Sequence, residues 1–246
     1  MPRLYLSPSL QDFNLYAGGG NESYYMNLLA DDMEPYLLSS GITVVRNNPG
    51  SQELRDVIRQ SNASAIDLHL ALHSNAAGAG KEGQVKGVEV YYNPDNRFSR
   101  KAADFIAARM KEIYPNPENI RVLPTTTLAE VLQVNAPSVL VEVGYHDNWE
   151  EAQWIRDNLG EIARALVKAV CDYFGIPFVP AQPMRMGIVH TGGANLNLRQ
   201  FPSTQAKILA AIPNDSKITV LGRTGSGWSV VSYGNQTGYA KSEYII

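Results

Sequence analysis

Leu68, Leu70 and Leu72 alternate with His69, Ala71 and His73, and a period of two is the signature of a β-strand. The same pattern predicts strands at 3–7 (RLYLS), 42–46 (ITVVR), 67–74 (DLHLALHS), 87–93 (GVEVYYN), 120–123 (IRVL) and 138–144 (SVLVEVG). Helical stretches fall between them at Asn21 to Ser40, Gln52 to Asn62 and Phe98 to Ile113, and two more, Trp149 to Asp157 and Leu159 to Phe174, close the region. Asn21 is a good N-cap for the first and Gly41 a good C-terminal stop. Strands separated by helices imply an α/β domain, a mixed twisted sheet flanked by helices.

The pattern changes near residue 175. FGIPFVPAQPMRMG (174–187) carries Pro177, Pro180 and Pro183, which stop a helix and stiffen a linker. Beyond it no helical periodicity returns. Short apolar runs cut by Gly, Asn, Pro and Ser predict a small all-β barrel, with GNQTGYA as a hairpin tip and the strand that follows it. The expected division is residues 1–178 and 184–246.

Composition narrows the choices only slightly. The chain has 246 residues, 44% hydrophobic and 18% charged, with a net charge of −3 and no basic run, so nucleic acid is not an expected partner. Cys171 is the single cysteine, which excludes an intrachain disulfide and a multi-cysteine zinc site. No stretch is long and apolar enough to span a membrane, and MPRLYLSPSL does not read as a signal peptide. The expected site of synthesis is therefore the cytoplasm.

The candidate chemistry lies at strand ends. His69 and His73 share one strand face but stand about 13 Å apart, too far for one metal ion with ligand bonds of about 2 Å. His73 is the better candidate, because Ser74, Asn75 and the glycines after them end the strand there. His69, deeper in the run, reads as a core histidine. Glu22 opens the first helix after YAGGGN, either as a ligand held near the sheet edge or as an acid complementing the helix dipole. Glu142 sits inside SVLVEVG, where an unpaired carboxylate is costly to bury. It is either a general base with a raised pKa or a buried glutamate satisfied by an Arg or by backbone donors.

Taken together, NES (21–23), DLHLALHSNAA (67–77) and APSVLVEVGYHDNWEEAQWI (136–155) resemble the zinc-dependent N-acetylmuramoyl-L-alanine amidases of the amidase-3 type. These enzymes cut between the lactyl group of muramic acid and L-alanine in peptidoglycan. The resemblance implies Zn²⁺ as cofactor, Glu22 and His73 as metal ligands and Glu142 as catalytic base. The family's first strand usually leads into a Gly-His-Gly-Gly turn whose histidine is a third ligand. Here that stretch is YLSPSLQDFN, without histidine. Gln11 stands nearest the expected place and is the expected third ligand, with His146 as the alternative; an amide oxygen is a weaker donor than imidazole.

The segments ANLNLRQFPSTQAKILAAIPNDSKITVLG and GWSVVSYGNQTGYAKSEYI resemble bacterial SH3-like (SH3b) domains, modules that hold cell-wall hydrolases on peptidoglycan. Trp228, Tyr233 and Tyr239 are candidate wall contacts that also suit core positions. The function implied is a peptidoglycan amidase acting at the cell wall, reached by lysis or a non-standard route. The missing histidine keeps open a catalytically weak or inactive wall-binding protein, and a zinc peptidase is a third reading.

Overall fold

The computed structural model describes residues 1–47 and 53–246. The helix start expected at Gln52 lies outside the described residues. Two compact units are present, Arg3–Glu34 with Val44–Tyr173, and Met1–Pro2 with Pro35–Thr43 and Phe174–Ile246. The last turns of the first helix thus belong with the C-terminal unit, and the change of unit falls at Phe174.

The larger unit is built on strands β1 (Arg3–Pro8), β2 (Thr43–Arg46), β3 (Leu68–Asn75), β4 (Val88–Tyr92), β5 (Ile120–Pro124) and β6 (Ser138–Tyr145). Their order is β2-β1-β3-β6-β4-β5. β1, β3 and β6 run parallel, while β4 runs antiparallel to β6 and parallel to β5. The helices are α1 (Glu22–Ser39), α2 (Leu54–Asn62), α3 (Arg97–Met110), α4 (Ala129–Leu132), α5 (Trp149–Asp157) and α6 (Leu159–Phe174). The mixed sheet with flanking helices is the expected architecture; the single turn α4 is an addition to it. β3 and β6 lie at the centre of the sheet, so Leu70, Leu72, Val139, Val141 and Val143 are all fully buried.

Helix ends follow local chemistry. The Asn21 side chain accepts from the Tyr24 amide at 2.8 Å and opens α1. At its other end Gly41, at φ 84°, lets the Ile42 and Gly41 amides reach back to the Leu37 and Leu38 carbonyls, both at 2.9 Å. Asn96 and Asn148 cap α3 and α5 in the same way.

The smaller unit holds β7 (Arg185–Ile188), β8 (Leu196–Arg199), β9 (Ile208–Ile212), β10 (Lys217–Arg223), β11 (Trp228–Tyr233) and β12 (Gln236–Lys241). They form an antiparallel sheet in the order β7-β10-β11-β12-β8-β9, the all-β fold the sequence predicts. Val189, Leu198, Ile212, Val231 and Ala240 form its core. Trp228 and Tyr239 belong to a second cluster with Leu221 and Val230. Of the three aromatic wall contacts considered from sequence, these two are therefore buried, and Tyr233 alone is half-buried.

Gly87, just before β4, has φ 130°, and a Cβ there would lie 2.4 Å from the Asn119 carbonyl oxygen. Gly87→Ala should lower unfolding free energy by about 2 kcal/mol or more. Gly78→Ala, at a position with open space around it, should leave it nearly unchanged. Urea unfolding of both variants checks this.

Candidate active site

The carboxyl ends of β1, β3 and β6 open onto a cleft of about 340 Å³ lined by Pro8, Gln11, His73, Leu128, Glu130 and Glu142 among others. Strand register explains the gathering. His73 and Glu142 are partners across β3 and β6, and Glu142 also faces Glu89 across β4. Because β4 runs the opposite way, its beginning lies beside the end of β6, bringing Glu89 to the same sheet edge.

His73 and Glu22 are in direct contact, Nδ1 to Oε1 at 2.8 Å. Glu22 is buried and also accepts from Asn14 Nδ2 at 2.6 Å and, more weakly, from the Ser74 amide at 3.4 Å. Burial pushes its carboxyl up, but the bonds from His73, Asn14 and Ser9 outweigh this and hold it below the usual carboxylate range. Burial alone would push the imidazole of His73 down. Glu130 and Glu22 at its edges, with Glu142 nearby, instead raise it to about 10.

Gln11 stands beside this pair. Its Nε2 lies 3.4 Å from His73 Nδ1, while its Oε1 accepts from Asn14 at 2.9 Å. His146 is placed otherwise. It is buried, its Nδ1 lies 2.7 Å from the Ser74 carbonyl and 3.1 Å from the Ser74 hydroxyl, and its ring stacks on Tyr16. His69 is fully buried, with Nδ1 at Ser61 Oγ (2.9 Å), Nε2 at Glu130 Oε1 (3.0 Å) and its ring stacked on Tyr5. It is thus satisfied on both nitrogens. Among the described residues, no three His, Cys, Asp or Glu side chains are grouped as a metal site.

Glu142 differs from the other carboxylates. Its Oε2 is buried with no hydrogen-bond partner among the described residues. Burial, with Glu22 and Glu89 adding to it against the opposing effect of His73, raises its pKa to about 7. Glu89 has its own partners in Asn75, Tyr91, Tyr145 and Arg121. Glu130, which sequence reasoning missed, is also buried. It lies on α4, a single turn too short to carry a periodic signal.

The solved structures that this chain resembles share its fold. AmiC2, an N-acetylmuramoyl-L-alanine amidase of Nostoc punctiforme, superposes with a TM-score of 0.61 at 17% identity, over 71% of this chain and 97% of that one. The CwlD amidase of Clostridioides difficile, solved in complex with the GerS lipoprotein, gives 0.64 at 17% identity, over 71% and 99%. The catalytic domain of CwlV from Bacillus (Paenibacillus) polymyxa var. colistinus gives 0.58 at 17% identity, over 72% and 100%. No curated protein matches the sequence. Residues 11–172 match the family described as N-acetylmuramoyl-L-alanine amidase, and 194–246 match the bacterial SH3 domain. The chain belongs to the N-acetylmuramoyl-L-alanine amidase family, with a bacterial SH3 domain at its C-terminal end.

The raised pKa of Glu142 carries a stability cost whose sign is fixed. Between the unfolded value of about 4.3 and the folded value of about 7 the native state binds more protons than the unfolded state, so stability falls as pH rises through this window. Glu142→Gln, which cannot ionise, should gain about 3–4 kcal/mol over the wild-type chain well above pH 7 and nothing below pH 4. Denaturant titrations of both chains in excess chelator across that range check it.

Proposed function

We propose that the larger unit hydrolyses the amide bond between N-acetylmuramic acid and L-alanine of peptidoglycan, using Zn²⁺ held by Glu22, His73 and Gln11, with Glu142 as general base. The observation that carries the reading is a buried carboxylate oxygen, Glu142 Oε2, with no hydrogen-bond partner among the described residues, in a cleft beside a His–Glu pair, in a chain of the amidase family.

The donor set fits the metal. His73 Nδ1 lies 2.8 Å from Glu22 Oε1 and 3.4 Å from the Gln11 amide nitrogen, and an imidazole nitrogen that has given up its proton, with a carboxylate, is a common zinc donor set. A tetrahedral ion with bonds of about 2.0–2.1 Å holds its ligands about 3.3 Å apart. The 2.8 Å pair has to open by about half an ångström. The Gln11 amide has to turn over to present its oxygen, a rotation about a soft terminal torsion. His146, whose Nδ1 is engaged by Ser74, is the poorer third donor.

When bound, Zn²⁺ supplies a Lewis acid for the scissile carbonyl and lowers the pKa of water. The chain's own residues do the rest. Glu142, with a pKa near neutrality, takes the proton of the attacking water and passes it to the departing alanine nitrogen. Leu10, Leu54, Leu128 and Leu140 line the remainder of the cleft and exclude water around the substrate. The SH3 unit binds the wall and keeps the enzyme on its substrate, and the protein acts at the cell wall. The second reading, a weak or inactive wall-binding protein, draws on the neutral Gln11 where the family has histidine.

Purified peptidoglycan incubated with the chain should release stem peptides bearing a free N-terminal alanine, and chelator should abolish the release. Glu142→Gln should keep its metal and lose about 10²–10⁴-fold in rate. Intact peptidoglycan in the presence of Zn²⁺ would support the inactive reading, and cuts within stem peptides would identify a peptidase instead.

The third ligand is open to a separate check. In dialysis against graded chelator, Gln11→Ala should lose zinc sooner than the wild type, Gln11→His should hold it longer, and His146→Ala should match the wild type. Loss of metal from His146→Ala with retention in Gln11→Ala reverses the assignment.

A further inference from the structure

We propose that Glu130 is a positioning residue, fixing the His73 ring with Nδ1 toward Glu22 and Gln11 and strengthening it as a ligand beside a neutral amide. The inference rests on the zinc reading above. Glu130 is 5% exposed and lies on α4 at the floor of the cleft. Its Oε1 accepts from Ser7 Oγ at 2.5 Å and meets His69 Nε2 at 3.0 Å. His69 is itself held by Ser61 and stacked on Tyr5 at 4.9 Å between ring centres. With Oε1 anchored on two sides, Oε2 faces His73 Nε2 at 3.7 Å, an ion-pair distance. The other ring nitrogen, Nδ1, is the one turned to Glu22 and Gln11.

A carboxylate at the far nitrogen of a metal-ligating imidazole fixes the ring's orientation and raises its basicity. That help counts most where a companion ligand is weak, as an amide is compared with imidazole. Stability alone does not account for the group. A buried His–Glu pair gains little over apolar residues of similar size, because desolvating both partners cancels most of their attraction. Ser7, Ser61 and His69 together hold one carboxylate oxygen in place from two strands and a helix. The result is a second oxygen directed at His73.

The test uses the full chain with ¹⁵N-labelled histidine, of which there are four. In metal-free wild-type protein the Nε2–H proton of His73 should exchange slowly with water, and in Glu130→Gln it should exchange faster or vanish from the spectrum. In parallel, Glu130→Gln should bind Zn²⁺ about 10–100-fold more weakly against graded chelator, and adding Gln11→His should restore much of that loss. Ser7→Ala, which removes one bond to Oε1 and leaves the charge, should show both changes in smaller degree and covers the case in which Glu130→Gln does not fold. A wild-type chain that takes up no Zn²⁺ would refute the zinc reading, while the exchange measurement would still decide the role of Glu130. A His73 Nε2–H signal that is the same in the wild type and in every folded variant would overturn the inference. So would a lowered melting temperature with unchanged zinc affinity.

Discussion

Three carboxylates, Glu22, Glu130 and Glu142, meet around one imidazole at the edge of a sheet, and disposing of that negative charge is the constraint on which the site depends. Two like charges 4 Å apart at an effective dielectric of 20 repel by about 4 kcal/mol. Each carboxylate answers this differently. Glu22 takes hydrogen bonds from His73 and Asn14, and Glu130 takes them from Ser7 and His69. Glu142 takes none on Oε2 among the described residues and is pushed toward its neutral form. The least supported of the three is thus the one best suited to exchange a proton near neutral pH. Glu89, its neighbour across to β4, is held by Arg121 and two tyrosine hydroxyls and still adds to the upward push on Glu142.

Some of this was legible in the sequence and some was not, for physical reasons. The alternation in β3 and the glycine-rich segment after Asn75 separate His73 from His69 without a structure, because strand spacing forbids one metal ion for both, although both rings meet the Glu130 carboxylate. Asn21 and Gly41 mark the ends of α1 through their own side-chain and backbone chemistry. Strand patterns, however, carry no direction. GVEVYYN reads alike whether β4 runs with or against β6, so the arrival of Glu89 next to Glu142 could not be foreseen. Glu130 was invisible for a different reason. Its helix is four residues long, and its partners Ser7, His69 and His73 lie 57 or more positions earlier in the chain.

The C-terminal unit gives a similar lesson about aromatic residues. Trp228 packs with Leu221, Val230 and Tyr239, and Lys241 lies over its ring at 4.9 Å. An aromatic side chain in a small sheet is drawn first to the core, where its area is worth most. Binding surfaces on such a unit therefore have to be sought among its partly exposed side chains, not among its largest ones.

The reversal of β4 also dictates the course of the chain before it. Leaving β3 at Asn75 and entering β4 at Val88, the connection passes the end of β6 and never has to run the length of the sheet. Residues 78–84 are exposed throughout. Two clasps hold this ribbon, because the Asp147 carboxylate accepts from the Ala77 and Gly83 amides at 3.2 and 2.9 Å. Both clasps bind backbone, so they constrain the path of the ribbon while leaving its side chains free to vary. This stretch is where lineages can diversify, or a protein engineer can graft new sequence, to alter the surface at this end of the sheet without disturbing the core beneath.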